Sequence, residues 1–543
     1  MKFDHDPNSK LGLPFFSASF TRRQMCLTGL AAMTASALPA ASMPDSKKIT
    51  LAFFADIHGQ LEEHPEMYWS SGKDEIVPAG GVARIAQQLK EIRAENPDGT
   101  ITLDLGDTIQ GSGHVVMSEG ETMIGPINAL KLDCWLPGNW EVIYGKKVLL
   151  ETAAKLKAPA IAANMRDATT RERLFKPYVI HQAHGLKIAL IGFTDPDVPL
   201  RQPPSFSEGI VYEETGILQP LVDEASEEGK ADLVVLLTHI GLPKAVSLAE
   251  SLKGVDVILS ADTHERTEKP IIRGNTWVVE AGAFGSHLGK LELFVENGRL
   301  SRREWTLIEL RAGQIAEDAE VKALVQKSLA PYRESLGRVI GSTSRPLFRY
   351  APVETSADAV LADALLAAGG TEIALSNGFR FAYPIDTGDI TENDLWNYYP
   401  INSRLKTGKV TGTQLLKFFE RELENVFSKN TKRLFGGWVP RPAGLTFRFY
   451  ANRAEGKRIV DMRVNGHPVE ADRAYTITSC EREGDALTTL CRMRDVADVT
   501  LLEVDAHEAV RRYLKEQSPI MMGQPLRVVP LDISATVRSQ FLL

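Results

Sequence analysis

The chain has 543 residues, 43% hydrophobic and 24% charged, the balance of a folded protein with roughly two to four domains. Its formal net charge of -8 excludes the basic footprint of a nucleic-acid partner and reads as surface solubility. Beyond the N-terminus no run reaches the roughly 18 uninterrupted apolar residues of a membrane span, so no stable membrane anchor is expected.

At the N-terminus Arg22 and Arg23 directly precede an apolar run, 27–41, that is short and rich in alanine. Ala35-Ser36-Ala37 offers a small-residue cleavage site. This pattern predicts a twin-arginine signal and disordered leader over 1–43, with export to the periplasm or outside the cell. An ordinary secretory signal is the alternative. Cys26 falls in that segment, and Cys134, Cys480 and Cys491 lack CxxC spacing, which argues against a structural zinc site. Cys480 and Cys491 either pair in a disulfide or stay buried as free thiols.

From residue 48 onward, short apolar runs alternate with helical stretches. Strands are predicted over 49–54, 101–105, 187–192, 233–237 and 255–259, with a helix over 82–95 and further strands at 277–280 and 288–295. Continuous Val/Ile/Leu strands between helices predict a layered α/β domain spanning 48–312. The charged stretch 316–337 carries a helical apolar period, and with no evident partner in either half it reads as a connecting helix within 313–338. A second α/β domain follows over 339–532, with helices near 357–368 and 414–425 and strands near 372–376, 445–450 and 475–478. Residues 533–543 read as a tail.

The apolar strands end repeatedly in metal-ligand residue types. Strand 49–54 runs into Asp56 and His58, and strand 101–105 into Asp107. Leu136-Pro137 leads into Gly138-Asn139-Trp140-Glu141, strand 233–237 into His239, and strand 255–259 into Asp262 and His264. In open α/β sheets, sites form outside the carboxyl ends of the strands. Two divalent ions about 3.5–4 Å apart need a bridging carboxylate, with imidazoles and oxygen ligands completing each shell. Asp107 is the bridging candidate, and a water activated between two metals would be the nucleophile.

The ordered set resembles the calcineurin-type metallophosphoesterases, whose pattern is DxH, GD, GNH(E/D), H and GHxH. The second half resembles the C-terminal domain of the 5′-nucleotidase family, through 360–364, 374–380 (ALSNGFR), 394–400 (DLWNYYP) and 411–415. The resemblance implies a metal-dependent hydrolase of ester bonds acting on a small phosphorylated substrate. One metal would be held by Asp56, His58, Asp107 and His264, and the other by Asp107, Asn139, His239 and Asp262. It further implies that Arg380 and nearby aromatics hold the leaving group. Arg380, Asn377, Phe379, Phe381 and Tyr383 are the substrate-binding candidates, and Trp396, Tyr398 and Tyr399 could add a stacking face.

Two positions depart from the pattern. Trp140 stands where the family has histidine, and indole cannot transfer a proton at neutral pH. His114 is the candidate substitute beside Asp107 and Asn139. Asp262 stands where GHxH begins with histidine, and its added oxygen character shifts preference toward Mn or Mg, with Zn as a further possibility. These departures resemble the periplasmic thiosulfohydrolases of sulfur oxidation, which release sulfate from a cysteine-bound sulfonate on a carrier protein; Asn139 departs from that group. Nucleotide hydrolysis is the first expectation, carrier-protein sulfur chemistry the second, and a non-catalytic binding protein the third. The sequence specifies no oligomeric state.

Overall fold

The structure is a computed structural model and describes residues 46–69, 74–521 and 526–534. The expected export signal lies outside the described residues. All described residues belong to one unit, Asp45–Leu543.

Two large sheets organise the first half. The first has the order Arg299–Glu309, His287–Glu296, Ser46–Phe54, Thr100–Asp104, Cys134–Trp135. The second has the order Ile271–Arg273, Thr276–Glu280, Val257–Ala261, Leu233–His239, Leu186–Thr194, Tyr178–Ala183. Strand side chains alternate in direction, and Leu233–His239 shows the consequence. Val235 and Leu237 enter the core shared with the first sheet, while Val234 and Leu236 pack toward the helices Leu218–Glu227 and Leu242–Ser251. Both faces are buried, which is why this strand reads as an unbroken apolar run.

Parallel pairing sets the position of the site. Ser46–Phe54 runs parallel to Thr100–Asp104, which runs parallel to Cys134–Trp135. Leu233–His239 runs parallel to Leu186–Thr194 and Val257–Ala261. The carboxyl ends of these strands therefore open onto one rim, and the two sheets bring their rims together.

The stretch expected as a free connecting helix is broken into Ala319–Leu329, a 3-10 turn Ala330–Tyr332 and Arg333–Leu336. Contrary to expectation it has partners. Val321, Val325 and Leu329 bury into the first core, against the helices Val82–Glu95 and Glu121–Ala129. Its apolar stripe is a docking face for the first half.

The second half is also mixed α/β. One sheet has the order Arg441–Ala443, Ile373–Ser376, Ala474–Cys480, Arg404–Thr411, Ala497–Asp505, and a second runs His467–Pro468, Ile459–Val464, Leu445–Phe449, Val528–Pro530. The helices Ser356–Gly369 and Gly412–Phe427 pack on them, the latter opened by a Thr411/Gln414 capping box. No helix among the described residues is long and apolar enough to cross a membrane.

Candidate metal centre and substrate cavity

Five of the expected ligands come together where the strand ends meet. Asp56, His58 and His264 form one group of possible metal-ligating atoms, and Asp56, Asp107 and His239 form another, each within 4.8 Å. Asp107 Oδ2 lies 3.2 Å from His239 Nε2 and 3.7 Å from His58 Nε2, between the two imidazoles. Asp56 Oδ1 lies 3.7 Å from His239 Nε2 and 3.5 Å from His264 Nε2. Asp56 is the residue common to both groups.

The backbone is held in an unfavourable region to achieve this. Asp56, His58, Asp107, Asp262 and His264 all have positive φ, from 47° to 85°. For residues with a Cβ this costs on the order of 1–3 kcal/mol each, and such strain gathers at functional sites. Buried acids tie the loops down. Glu141 accepts from the N–H groups of Asp107 (3.0 Å), Thr108 (2.6 Å) and Gly138 (2.6 Å). Glu280 accepts from Glu265 N–H (2.8 Å) and Thr263 Oγ1 (2.8 Å), shaping the turn that carries Asp262 and His264.

Imidazole orientation is fixed in the same way. His239 Nδ1 donates to the Leu105 carbonyl at 2.6 Å and His58 Nδ1 to the Gln110 carbonyl at 3.0 Å. Each bond leaves Nε2 as the ligating atom. The Nε2 atoms of His58 and His264 lie 3.1 Å apart. Asp56 Oδ1, Asn139 Oδ1 and His239 Nε2 are buried without an aligned hydrogen-bond partner. Converging lone pairs and orphaned carboxylate, amide and imidazole atoms fit divalent cations.

The electrostatics point the same way. Burial lifts the Asp56 carboxyl well above the usual range. Burial would also raise Asp107, but His239, His58 and the Trp140 N–H outweigh it and hold the carboxyl below the usual range. Burial would lower His239, and Asp107 and Asp56 instead raise it well above the ordinary imidazole value. Burial lowers His58 and His264.

Asp262 stands apart from both ligand groups. Its Oδ1 accepts from Asn139 Nδ2 at 3.0 Å and from Arg201 Nη2 at 3.1 Å, and its Oδ2 lies 3.3 Å from the same Arg201 nitrogen. His114 turns away from the cavity. Its Nε2 donates to the Gly59 carbonyl (2.9 Å), Thr122 Oγ1 bonds its Nδ1 (2.9 Å), and burial brings it down to about 4. Both ring nitrogens are occupied, so it offers no proton to a leaving group in this arrangement.

A cavity of about 410 Å³ opens beside the metal-ligand cluster, lined by Asp107, Asn139 and His264 from the first half. The second half contributes Asn377, Phe379, Arg380 and Phe381. Phe381 meets His58 edge-on at 4.9 Å, and Trp140 packs against Phe381 (5.4 Å) and Phe379 (5.8 Å). Trp140 is therefore part of an aromatic wall. Asn377 Oδ1 accepts from Phe379 N–H (3.1 Å) and Arg349 (3.0 Å), which shapes the loop. Tyr383 is not among the residues lining this cavity. It stacks on His64 at 4.5 Å and its hydroxyl accepts from Asn397 at 2.9 Å, joining the two halves. Tyr399 lines the cavity, whereas Trp396 packs on His507 at 4.3 Å and Tyr398 is buried. Sequence reasoning missed Arg201 and the positioning residues Gln110 and Glu280. Glu280 alone left a signal, as an acid closing the Val-rich run 277–280.

A cluster of histidines and carboxylates at parallel strand ends, facing an arginine- and aromatic-lined cavity in a second domain, defines a two-domain metal-dependent hydrolase of ester bonds. The sequence model of the calcineurin-like phosphoesterases matches residues 49–266, and that of the 5′-nucleotidase C-terminal domain matches 339–481. The chain thus joins a calcineurin-like phosphoesterase domain to a 5′-nucleotidase C-terminal domain. The Bacillus subtilis trifunctional nucleotide phosphoesterase protein YfkN is 26% identical over 73% of this chain, which spans 30% of that longer protein. Two Thermus thermophilus structures share the fold, each at 23% identity. The sulfate thiohydrolase SoxB covers 90% of this chain and 98% of its own, with a TM-score of 0.81. A 5′-nucleotidase precursor covers 90% and 100%, with a TM-score of 0.77.

Proposed function

We propose that the protein is an exported hydrolase of nucleotide phosphate esters. The observation that carries this reading is the adjacency of the metal-ligand cluster, Arg380 and the Trp140–Phe379–Phe381 wall around one cavity. A phosphoryl group beside Asp107 and Asn139 would leave its base within reach of aromatic faces. Similarity to a nucleotide phosphoesterase supports the same substrate class.

In this reading Asp56, His58, Asp107, Asn139, His239 and His264 would hold two divalent ions; the carboxylate and amide oxygens among these donors suit Mn, and the three imidazoles equally suit Zn. When bound, such ions supply Lewis-acid polarisation of the ester and activation of water. The protein's own residues do the rest. Asp107, held by the Trp140 N–H at 2.8 Å, would be kept in place as a ligand beside His239. Asn139, with Gln202 donating to its carbonyl at 2.6 Å, faces the reacting group. Arg380 donates to the Asp262 carbonyl at 2.5 Å and directs its remaining N–H groups toward the substrate anion. Phe381 and Phe379 exclude water from that side. The catalytic domain is taken as 48–312, the connection as 313–338 and the substrate domain as 339–532.

The test is phosphate release by the Mn-loaded mature protein from nucleoside monophosphates, cyclic nucleotides and aryl phosphates. Rapid release from one nucleotide class is expected, and Asp107→Ala should remove both bound metal and turnover. Trp140 favours one competing reading, sulfate release from a cysteine-bound sulfonate on a carrier protein, because a leaving sulfur needs no proton donor. Sulfate release from an S-sulfonated cysteine peptide, with no phosphate release from any ester, would replace the nucleotide reading. Export by the twin-arginine route is tested by changing Arg22 and Arg23 to Lys, which should hold the precursor in the cytoplasm.

A further inference from the structure

Arg201 is the least expected residue of the cavity. It closes the short helix Val198–Arg201 in the first half and lines the same cavity as Arg380. Its side chain is 11% exposed. Nη1 is paired with Asp195, and Nη2 with both oxygens of Asp262 at 3.1 and 3.3 Å. The second half closes over this guanidinium through a glycine: a Cβ on Gly436 would meet Arg201 Nη2 at 2.2 Å. Arg380 reaches the same aspartate from the second half, with Nη2 at 2.5 Å from its carbonyl and 3.6 Å from Oδ1.

We infer that Arg201 and Arg380 form a two-arginine clamp for the tetrahedral oxyanion of the substrate, and that Asp262 holds this clamp instead of a metal ion. The inference rests on the hydrolase reading above and deepens it. Asn139 Nδ2 and Arg201 Nη2 donate to the Asp262 carboxylate, while Arg380 donates to its carbonyl and pairs with Oδ1 at 3.6 Å. It contributes to neither group of possible metal-ligating atoms. Two guanidinium groups this close repel each other and any neighbouring cation, and a shared carboxylate between them offsets that repulsion. A histidine at this position could not do so. The aspartate that breaks the family's GHxH pattern and the arginine at 201 are thus one device.

The fixed forks keep further N–H donors for a ligand. Arg380 bonds Asp262 through one nitrogen only, and Arg201 bonds its two aspartates through Nη1 and Nη2, leaving Nε–H. Their convergence beside Asn139 and Asp107 suits a multiply charged tetrahedral group, phosphoryl or sulfonyl. Because one arginine comes from each half, the clamp makes anion affinity depend on the seating of the second half against the first.

The experiment uses the full mature enzyme, with metal content measured by mass spectrometry and inorganic phosphate binding by calorimetry. Asp262→Ala should keep the wild-type metal content while phosphate binding weakens tenfold or more. Arg201→Gln should weaken phosphate binding to a similar degree with metal content unchanged, and Arg201→Lys should restore only part of it. If Asp262→Ala misfolds, Asp262→Asn serves, since it keeps the shape and removes the charge. Loss of metal in either Asp262 variant would make Asp262 a ligand and overturn the inference. Unchanged phosphate affinity in Arg201→Gln would overturn it equally. Sulfate in place of phosphate separates the two anion sources. Neither readout needs turnover, so weakened binding in an enzyme that hydrolyses no nucleotide would sink the nucleotide reading and leave the clamp standing.

Discussion

Gly138 lies directly against the carboxylate of Asp107: a Cβ built on Gly138 would meet Asp107 Oδ1 at 2.4 Å and its backbone nitrogen at 2.6 Å. Neither atom can yield, since Oδ1 accepts the Trp140 N–H and the nitrogen donates to Glu141. The same Cβ would also press on His239 Cε1 at 2.7 Å. Gly138→Ala should therefore displace this carboxylate. We expect weaker metal retention during dialysis, a drop in turnover of tenfold or more, and a stability loss of about 1–3 kcal/mol. Gly216→Ala, where a Cβ meets nothing within 4 Å, should change neither metal content nor activity.

Trp140 donates its backbone N–H to Asp107 while its indole packs on Phe379 and Phe381. His114 does not replace the proton donor that the resembled pattern places here, because both its ring nitrogens are already bonded. The rate of ester hydrolysis should then fall steeply as the leaving group becomes more basic. Trp140→His should flatten that dependence, raising turnover of alkyl esters relative to aryl esters. Trp140→Phe should preserve the steep dependence and alter mainly KM. A wild-type rate independent of leaving-group basicity would show that another donor is at work.

Much of the architecture was legible because the central strands of both sheets, such as Leu233–His239 and Val257–Ala261, are buried on both faces. Such strands leave unbroken runs of Val, Ile and Leu, and the polar residues that follow mark the rim. The convergence of Asp56, His58, Asp107, His239 and His264 follows from parallel pairing at those runs. Arg201 was not legible. It sits in a Pro-rich connection, 196–204, with no periodicity, and only the fold brings Asp195, Asp262 and Gly436 to it. His114 misled for the complementary reason, since sequence proximity to Asp107 says nothing about direction, and the helix Gly113–Met117 points the ring at Gly59. The stretch 316–337 misled because its partners are helices more than 180 residues earlier in the chain.

Cys480 and Cys491 both line the cavity, and their sulfur atoms lie 2.9 Å apart. The Cys491 N–H donates to the Cys480 carbonyl at 2.8 Å, which fixes the two backbones side by side. Contact with Cys480 brings the Cys491 thiol down to about 7, so a fraction is thiolate at neutral pH. Protein recovered from an oxidising compartment should carry this pair as a disulfide, through exchange with an oxidised dithiol protein. Intact mass under non-reducing conditions should be lower by two hydrogens, and peptide mapping should place the link between Cys480 and Cys491. Alkylation of both Cys480 and Cys491 in exported protein would contradict this.

His507 provides a pH-dependent term in stability. It is buried beside Trp396, and its Nε2 donates to the Tyr399 carbonyl at 2.7 Å. Burial drives its imidazole from 6.5 down to about 4. Between those values the unfolded chain binds the proton that the folded chain refuses, so stability falls as pH drops through the window. The term is absent above pH 6.5 and reaches roughly 3 kcal/mol near pH 4. Buried acids such as Glu354, lifted by burial to about 7, act in the opposite sense and mask it in the wild type. The difference between wild type and His507→Gln removes that masking, because glutamine can keep a donor for Tyr399 without titrating. Denaturant unfolding at pH 7 and pH 4.5 should show the variant gaining about 2–3 kcal/mol on the wild type as pH falls. A constant difference across that range would mean that the folded imidazole is protonated at its ordinary value.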